Sequence, residues 1–346
     1  MKRELTVQVR NVAPTWHGTM PQGAAKADAR AADTDPTGCG DPWWIFESNQ
    51  TIRTTRCFDQ EMIVGLVVIV DGVEEPVGEA TFTAEHVLTL NTTSLKWSEQ
   101  VTITPAQLLG EAKTSPITLT LLTFNLPQTT TTGTGQLAGA FTLSGSSPEK
   151  GTIEYSSRVN KMQDLSDATH YVYVGEAAGF TTPITLGYNG PTFRCDDAFW
   201  NKKLTKRYKV PGCVLPQQAA TDTTPLFPSQ QYWLPGIRQN IQTVQKAGVH
   251  VGEPFSGVPL HRTTQAQKDK NRAAVCGGLH PPQPGDSCDE YPFASTQEGG
   301  THFNPPNRAI AWVPIAEQRK QGGILKAFYG QSRILPGDPF YVNVLA

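Results

Sequence analysis

The sequence lacks the features that mark several common protein classes. It has no run of eighteen apolar residues, which excludes a transmembrane helix of ordinary length. No apolar stretch follows Lys2 and Arg3, so the start is not a secretory signal peptide, and we expect the chain to be a mature or excised form. No Cys-x-x-Cys pair occurs and the seven histidines are scattered, which disfavours a zinc site.

Charged residues are also scarce, at 17% of the chain, and their distribution is uneven. Residues 1–199 hold 13 Lys and Arg against 22 Asp and Glu, a net charge of −9, whereas residues 200–346 hold 16 against 9, a net charge of +7. A basic region attracts polyanions such as DNA through long-range steering. An ordinary solvated surface is the alternative that charge alone leaves open.

The six cysteines fall as sequential neighbours, and each pair encloses a short stretch flanked by Gly, Pro or Asp. The pairs are Cys39 with Cys57, Cys195 with Cys213, and Cys276 with Cys288. This arrangement suits local disulfides formed in an oxidising compartment, and we expect a secreted, extracellular protein. Nearest-neighbour pairing remains a hypothesis, because six cysteines allow many connectivities.

Residue patterns divide the chain into four segments. Residues 1–48 mix Pro, Gly, Ala and Asp, which predicts an irregular N-terminal segment apart from an edge strand at 5–12. Residues 49–200 contain short β-branched runs separated by turn residues, typical of an all-β sandwich-like domain, with Thr129–Thr134 as a hairpin tip or exposed loop. Residues 201–235 are basic and then Pro-rich, and we place a connector there.

Residues 236–346 change to a helical period. We predict helices at 237–247, 264–275 and 316–328, the last interrupted by Gly322-Gly323, and strands at 309–313 and 340–345. The adjacent glycines suggest a close approach of the backbone to DNA or to a neighbouring strand, although packing alone is an equal explanation. The predicted fold class is therefore α+β overall, with an N-terminal all-β domain followed by a small α+β domain.

The string Cys288-Asp289-Glu290-Tyr291-Pro292-Phe293-Ala294 resembles the signature of the NucA/NucB-type extracellular deoxyribonucleases, which are ββα-metal nucleases. Further strings occur in the order that this family shows: Pro259-Leu260-His261-Arg262, Asn271-Arg272, Val313-Pro314, Gln321-Gly322-Gly323, Phe328-Tyr329 and Gly337-Asp338-Pro339-Phe340. The resemblance covers about residues 236–346. It implies a ββα-metal nuclease domain that hydrolyses DNA without sequence preference and depends on Mg²⁺ or Mn²⁺.

The resemblance also implies roles for individual residues. Asp289 matches the general base, and Arg262 matches a basic position that holds the scissile phosphate. Successive side chains of an extended segment point to opposite faces, so Glu290 joins the catalytic group only in a structural or supporting role. Without the surrounding motifs, an adjacent acidic pair would be interpreted as a solvated turn.

The metal position departs from the family pattern. The family's ligand is an Asn on the helix after the Val-Pro strand, and Gln318 stands there in this chain. Its amide oxygen can still bind a hard cation, although the side chain is one methylene longer. Glu317 would replace it only if the helix were rotated or irregular there, since helical neighbours lie about 100° apart. Glu298 is a third candidate, acting through water, with an exposed loop acid as the alternative.

Three further residues are candidate DNA contacts: Arg272, Arg319 and His261. The two arginines are interpreted as phosphate or framework contacts, with a solvated helix face as an equal alternative, and a lone histidine is more often structural. DNA is the expected partner of the nuclease domain, and candidate partners of other kinds are an inhibitor or immunity protein and a cell-envelope component bound by the β domain. The alternative function is an envelope- or partner-binding β-domain protein whose nuclease-like domain is catalytically weakened by Gln318.

Overall fold

The structure is a computed structural model that describes residues 2–12, 51–159, 165–181, 183–203, 206–217, 220–222, 234–254 and 256–344. The chain divides into two compact units. One includes Lys2–Val12 and Thr54–Leu215, and the other includes Arg53 and Pro216–Ala346. Each unit has its own cluster of buried apolar side chains, as expected of separate domains.

Strands make up almost all the regular structure of the first unit. They are β1 (Lys2–Val12), β2 (Thr55–Val70), β3 (Val73–Thr89), β4 (Lys96–Ile103), β5 (Gln107–Gly110), β6 (Ile117–Phe124), β7 (Thr129–Gly135), β8 (Ala140–Thr142), β9 (Glu149–Ser157), β10 (Leu165–Asp167), β11 (His170–Ala177), β12 (Ile184–Asn189), β13 (Phe193–Lys203) and β14 (Lys206–Val214). Two short 3₁₀ turns, Glu111–Lys113 and Gln136–Ala138, interrupt them.

These strands form three sheets around one core. The largest has the order β1-β2-β3-β4-β9-β7 with β5 beside β3, the second is β12-β11-β6-β8, and the third is β10-β13-β14. The hairpin between β2 and β3 turns at Asp71 and Gly72, which both adopt the positive φ that such tight turns require. Met62, Leu119 and Phe193 illustrate how each sheet supplies buried side chains to the same core.

A buried polar network lies inside this core. Glu99 is completely buried and accepts hydrogen bonds from Tyr155 (2.5 Å) and Tyr171 (2.8 Å), while His86 Nδ1 lies 2.6 Å from Glu99 Oε1. The Tyr188 hydroxyl extends this hydrogen-bond network and lies 2.6 Å from His86 Nε2. Burial and the Glu99 charge raise the pKa of both Tyr155 and Tyr171 well above the ordinary value, so both phenols remain donors.

The structure differs from the sequence prediction at two places in this unit. Thr129–Thr134 belongs to strand β7 at a sheet edge rather than to a loop, because β-branched threonine fits a pleated edge. The start of the predicted connector is the β13–β14 hairpin, so the boundary falls after Leu215. The predicted edge strand at 5–12 is confirmed as β1, which starts at Lys2 and pairs along its length with β2 at the sheet edge.

The cysteine pairing is confirmed where the structure describes both partners. Cys195 and Cys213 form a disulfide across the β13–β14 hairpin, and Cys276 and Cys288 form one in the second unit. Cys57 is disulfide-bonded, and its predicted partner Cys39 lies outside the described residues.

The second unit combines helices with short strands. Its elements are α1 (Thr51–Thr54), which contains Arg53, β15 (Ala220–Asp222), α2 (Pro235–Gln245), β16 (Leu260–His261), α3 (Gln265–Cys276), β17 (Asp286–Tyr291), β18 (Ala309–Pro314), α4 (Ile315–Gln331) and β19 (Pro339–Val342). The strands form one sheet of order β15-β19-β16 and one antiparallel pair, β17-β18. Helix α4 follows β18 directly, so β17, β18 and α4 form a strand–strand–helix sequence.

Local sequence explains the helices of this unit. Pro235 starts α2, and Ile237, Ile241 and Val244 form its buried stripe. The Thr264 side chain caps α3 by accepting a hydrogen bond from Gln267 N. Helix α4 continues through the two glycines, which corrects the predicted interruption. Within the described ranges, no helix is both long and apolar enough to cross a bilayer.

Candidate active site

Strand β17 carries two buried carboxyl groups on opposite faces. Asp289 is only 1% exposed and Glu290 only 4%. Asp289 stands opposite Ala311 of β18, and the Asp289 side chain contacts α2, whereas Glu290 contacts α3. The alternation of side chains along a strand therefore gives each acid a different environment.

Asn240 of α2 is the hydrogen-bond partner of Asp289. Its Nδ2 donates to Asp289 Oδ2 at 2.9 Å, and it also lies 3.4 Å from the Asp289 carbonyl oxygen. Burial raises the pKa of Asp289 from 3.8 to about 7, against the lowering effect of the Asn240 bond. A carboxyl whose pKa lies near neutrality is well matched to the work of a general base.

Two buried oxygen atoms at this site, one of them in the Asp289 carboxyl itself, have no hydrogen-bond partner among the described residues. Asp289 Oδ1 and Gln318 Oε1 are buried and accept no hydrogen bond from any described residue. Gln318 lies close enough for its side chain to lower the pKa of Asp289, although no described residue makes a hydrogen bond of ordinary geometry with Oδ1. A buried polar atom without a partner costs about 1–3 kcal/mol and indicates a ligand or water. Amide oxygen fits a hard cation.

Glu317 has a structural contact of its own. Its Oε2 accepts hydrogen bonds from Gly236 N at 3.1 Å and Ile237 N at 3.3 Å, at the start of α2. A carboxylate at a helix N-terminus satisfies amides that have no partner within the helix and complements the helix dipole. Glu317 therefore anchors the helix that carries Asn240.

Glu290 joins β17 to α3. Arg272 Nη1 lies 2.5 Å from Glu290 Oε2, and Arg272 also donates to Ser287 Oγ at 3.4 Å. The Cys276–Cys288 disulfide links the same two elements, and Cys276 Sγ is 3.1 Å from Glu290. These two sulfur atoms and Glu290 lie within 4.8 Å of one another, but sulfur atoms joined in a disulfide offer no thiolate to a metal.

His261 and Glu298 form a separate pair, and Arg262 follows His261 in the chain. Glu298 accepts a hydrogen bond from His261 N at 2.8 Å, and its other oxygen lies 2.8 Å from His261 Nδ1. Arg262 donates to the Ile334 carbonyl and lies 4.9 Å from the centre of the Tyr329 ring. Burial lowers the pKa of Arg262. The contacts with Ile334 and Tyr329 hold this half-buried guanidinium in a defined orientation.

Residues 245–343 match the model of the family described as Deoxyribonuclease NucA/NucB. The C-terminal segment is of the NucA/NucB type. This confirms the family predicted from the ordered motifs. No curated protein and no solved structure matches the chain. The family match leaves the β-rich first unit outside it.

Within the NucA/NucB segment, the structure brings together only some of the predicted site residues. Gln318 lies beside Asp289, and the hydrogen bonds of Glu317 are with the start of α2. Both Glu298 oxygens are engaged by His261. The remaining predicted residues contact other parts of the domain. Glu290 and Arg272 pair with each other, Arg262 contacts Ile334 and Tyr329, and Arg319 is exposed on α4.

Sequence reasoning missed Asn240. The signal was present, because Asn240 is a polar residue within the buried stripe of α2, beside Ile237 and Ile241. A buried amide on an apolar helix face needs a hydrogen-bond partner, and the partner here is Asp289.

The two glycines of α4 face open space. A Cβ built on Gly322 or Gly323 would meet no atom of the described residues within 4 Å, and both glycines are exposed. The predicted approach to a neighbouring strand is therefore wrong, and packing does not explain the pair. Their lack of side chains leaves a bare stretch of helix surface.

Proposed function

We propose that this chain is a secreted, metal-dependent, sequence-indifferent endonuclease that hydrolyses DNA phosphodiester bonds. The NucA/NucB segment indicates a deoxyribonuclease, and the observation that carries the finer proposal is Asp289. It is a buried carboxyl with one oxygen fixed by Asn240, the other without a partner, and a pKa of about 7. The disulfides support the proposal of secretion.

Asp289 acts in this proposal as the general base. Asn240 fixes Oδ2, so Oδ1 is the atom that accepts a proton from the attacking water. The buried environment keeps the carboxyl basic enough to take that proton near neutral pH. Glu290 supports the reaction from the other face of β17, where its pairing with Arg272 ties the strand to α3.

Gln318 Oε1 is the proposed principal ligand of a Mg²⁺ or Mn²⁺ ion, with Glu317 as a second ligand and Glu298 acting through water. The contacts of Glu317 among the described residues use Oε2, which leaves Oε1 for a cation. A bound divalent cation supplies stabilisation of charge on the phosphate oxygens and the leaving 3′ oxygen. Gln318 Oε1 fits this role because it is a buried oxygen without a hydrogen bond from the described residues.

Arg262 is the proposed phosphate-holding residue, and His261 and Arg319 are proposed backbone contacts. The Tyr329 ring and the Ile334 carbonyl orient the Arg262 guanidinium, which reduces the entropy lost when it holds a phosphate. Arg272 has a structural role, because it pairs with Glu290. Contacts limited to phosphates carry no sequence information, in keeping with non-specific cleavage. A catalytically silent domain is not favoured, because Asp289 retains a base-like environment.

Metal titration of plasmid cleavage tests the proposal. We expect the full chain to cut plasmids of unrelated sequence with Mg²⁺ or Mn²⁺, to stop on addition of EDTA, and to recover when excess metal is restored. Gln318→Leu, which removes the ligand oxygen at similar volume, should raise the metal concentration for half-maximal cleavage by about tenfold or more. Gln318→Asn should lower it, since it restores the family's residue.

Lys326→Leu is a matched control on the same helix, because Lys326 is exposed. Cleavage that persists in EDTA would exclude the metal role. Equal metal dependence in the Gln318 and Lys326 variants would exclude Gln318 as the ligand.

The glycine pair of α4 gives a second prediction, on DNA binding. Glycine in a helix interior costs about 0.5–1 kcal/mol relative to alanine, so an exposed pair is maintained for a reason other than stability. We expect Gly323→Ala to raise the free energy of unfolding by that amount and to weaken binding of a DNA duplex several-fold, because a methyl group would hold the helix backbone away from DNA. Thermal unfolding and fluorescence anisotropy measure the two effects.

Gly330→Ala is the control, since Gly330 is in the same helix and also faces open space. It should stabilise the helix similarly without weakening DNA binding. The same DNA affinity for both alanine variants would contradict a close approach at Gly323.

A further inference from the structure

Arg53 is far from the NucA/NucB segment in sequence, yet its side chain is buried with that segment. It lies in α1 and is 0% exposed, and Nη2 is 2.6 Å from Asp338 Oδ2 and 3.4 Å from the Arg333 carbonyl oxygen. Thr54–Leu215, which follows Arg53, clusters separately. Because a buried guanidinium is costly unless it is paired, the Asp338 contact offsets part of the cost of burying Arg53 there.

Asp338 in turn organises the loop that contains it. Its Oδ2 accepts a second hydrogen bond, from Leu335 N at 2.9 Å, and its backbone N donates to the Leu335 carbonyl at 3.0 Å. Asp338 is itself 7% exposed. Removal of Arg53 would take away a guanidinium that pairs with this buried carboxylate, and the loop from Arg333 to Asp338 would lose that contact.

Arg262 makes three hydrogen bonds with the same loop. Arg262 N donates to the Asp338 carbonyl at 3.1 Å, and the Arg262 carbonyl accepts from Gly337 N at 2.7 Å. The guanidinium donates to the carbonyl of Ile334, also in this loop. The position and orientation of Arg262 therefore depend on where the loop lies.

We infer that Arg53 is a positioning residue for Arg262 and acts through Asp338 and the 333–338 loop. The inference rests on the proposed role of Arg262 in holding the scissile phosphate. The second unit is therefore discontinuous in sequence. Arg53 precedes Thr54–Leu215 of the first unit, whereas most of the described second unit follows Leu215. The family match begins at residue 245 and omits this residue.

Steady-state cleavage by the full chain tests the inference. Arg53→Ala should raise KM for DNA about tenfold, the loss expected for one charge-assisted contact, while kcat falls by less than about threefold. Because one phosphate contact is weakened, the logarithmic dependence of DNA affinity on salt should become shallower by up to about one unit. Arg53→Lys should recover part of the KM, since it restores the charge but not the planar geometry.

Arg194→Ala is the matched control, because Arg194 is another buried arginine and lies 3.3 Å from Asp196 in the first unit. It should leave KM and the salt dependence unchanged. An Arg53→Ala variant with wild-type KM and salt dependence, or an equal change in Arg194→Ala, would overturn the inference.

Hydrogen exchange of the loop amides provides a readout that is independent of cleavage. Faster exchange at Leu335, Gly337 and Arg262 in Arg53→Ala, relative to Arg194→Ala, supports the inference, and unchanged exchange overturns it. If Arg53→Ala does not fold, the double variant Arg53→Met with Asp338→Asn removes both buried charges and is used in its place. Absence of cleavage by the wild-type chain would refute the proposed function, and the exchange experiment would still decide whether Arg53 holds the loop.

Discussion

Replacement of Asp289 by Asn should reduce kcat for plasmid cleavage by about 10²–10⁴-fold, the range expected when a general base is removed. The amide has nearly the same shape and can still accept from Asn240 Nδ2, so the change removes basicity and little else. Single-turnover cleavage at saturating metal measures the effect. Wild-type cleavage should also rise with pH through about 7, as Asp289 ionises.

The same substitution should stabilise the fold at high pH. Burial raises the pKa of Asp289 from 3.8 to about 7 in the folded chain. A carboxyl with a raised folded pKa contributes its full stability below the unfolded pKa and loses it as the pH rises through the folded pKa. We therefore expect Asp289→Asn to melt at a higher temperature than the wild type at pH 8, with the difference shrinking as the pH falls toward 4.

Asp286→Asn is the matched control, since Asp286 lies on the same strand and is only half-buried. It should change kcat by no more than about twofold and should not increase stability at pH 8. Cleavage by Asp289→Asn within tenfold of the wild type would rule out Asp289 as the base. Loss of cleavage without the stability gain at pH 8 would point to misfolding instead.

The second large effect concerns the core of the first unit. Glu99→Ala should lower the free energy of unfolding of this unit by about 3–5 kcal/mol, because Tyr155, Tyr171 and His86 would lose their common acceptor in a dry interior. Glu99→Gln should cost less, since one oxygen still accepts. Urea unfolding can be followed by the fluorescence of Trp97, whose ring stacks on Tyr155 at 3.7 Å between centroids.

Glu154→Ala provides the comparison, because Glu154 is an exposed acid on the adjacent strand β9. A surface substitution of this kind should change stability by no more than about 0.5 kcal/mol. If Glu99→Ala costs no more than Glu154→Ala, the network does not stabilise the unit.

The fold was predictable from sequence wherever a simple period was present. The short β-branched runs of residues 49–200 predicted the strand-rich first unit, and the apolar stripe of α2 predicted that helix to within two residues at each end. The Glu99 network was not predictable, because an acid in a β-strand is ordinarily on the solvent face, and only the pairing of distant strands brings Tyr155 and Tyr171 to it.

The candidate site divides in the same way. The resemblance to the family's ordered motifs predicted Asp289 and, at the position after Val313-Pro314, Gln318, since those motifs are local in the chain. Asn240 and Arg53 act through contacts with residues that are distant in sequence, Asp289 and Asp338 respectively, so no local pattern could reveal their partners. The contact of Glu317 with the start of α2 depends in the same way on how two helices pack.

The Cys276–Cys288 disulfide has a consequence for the cell that makes this protein. A reducing cytosol keeps such cysteines as thiols, so the newly made chain would lack the covalent link between α3 and β17, the strand that carries Asp289. Under the proposed secretion, oxidation outside the cytosol would supply that link. Strand β17 would then acquire its full rigidity only after export.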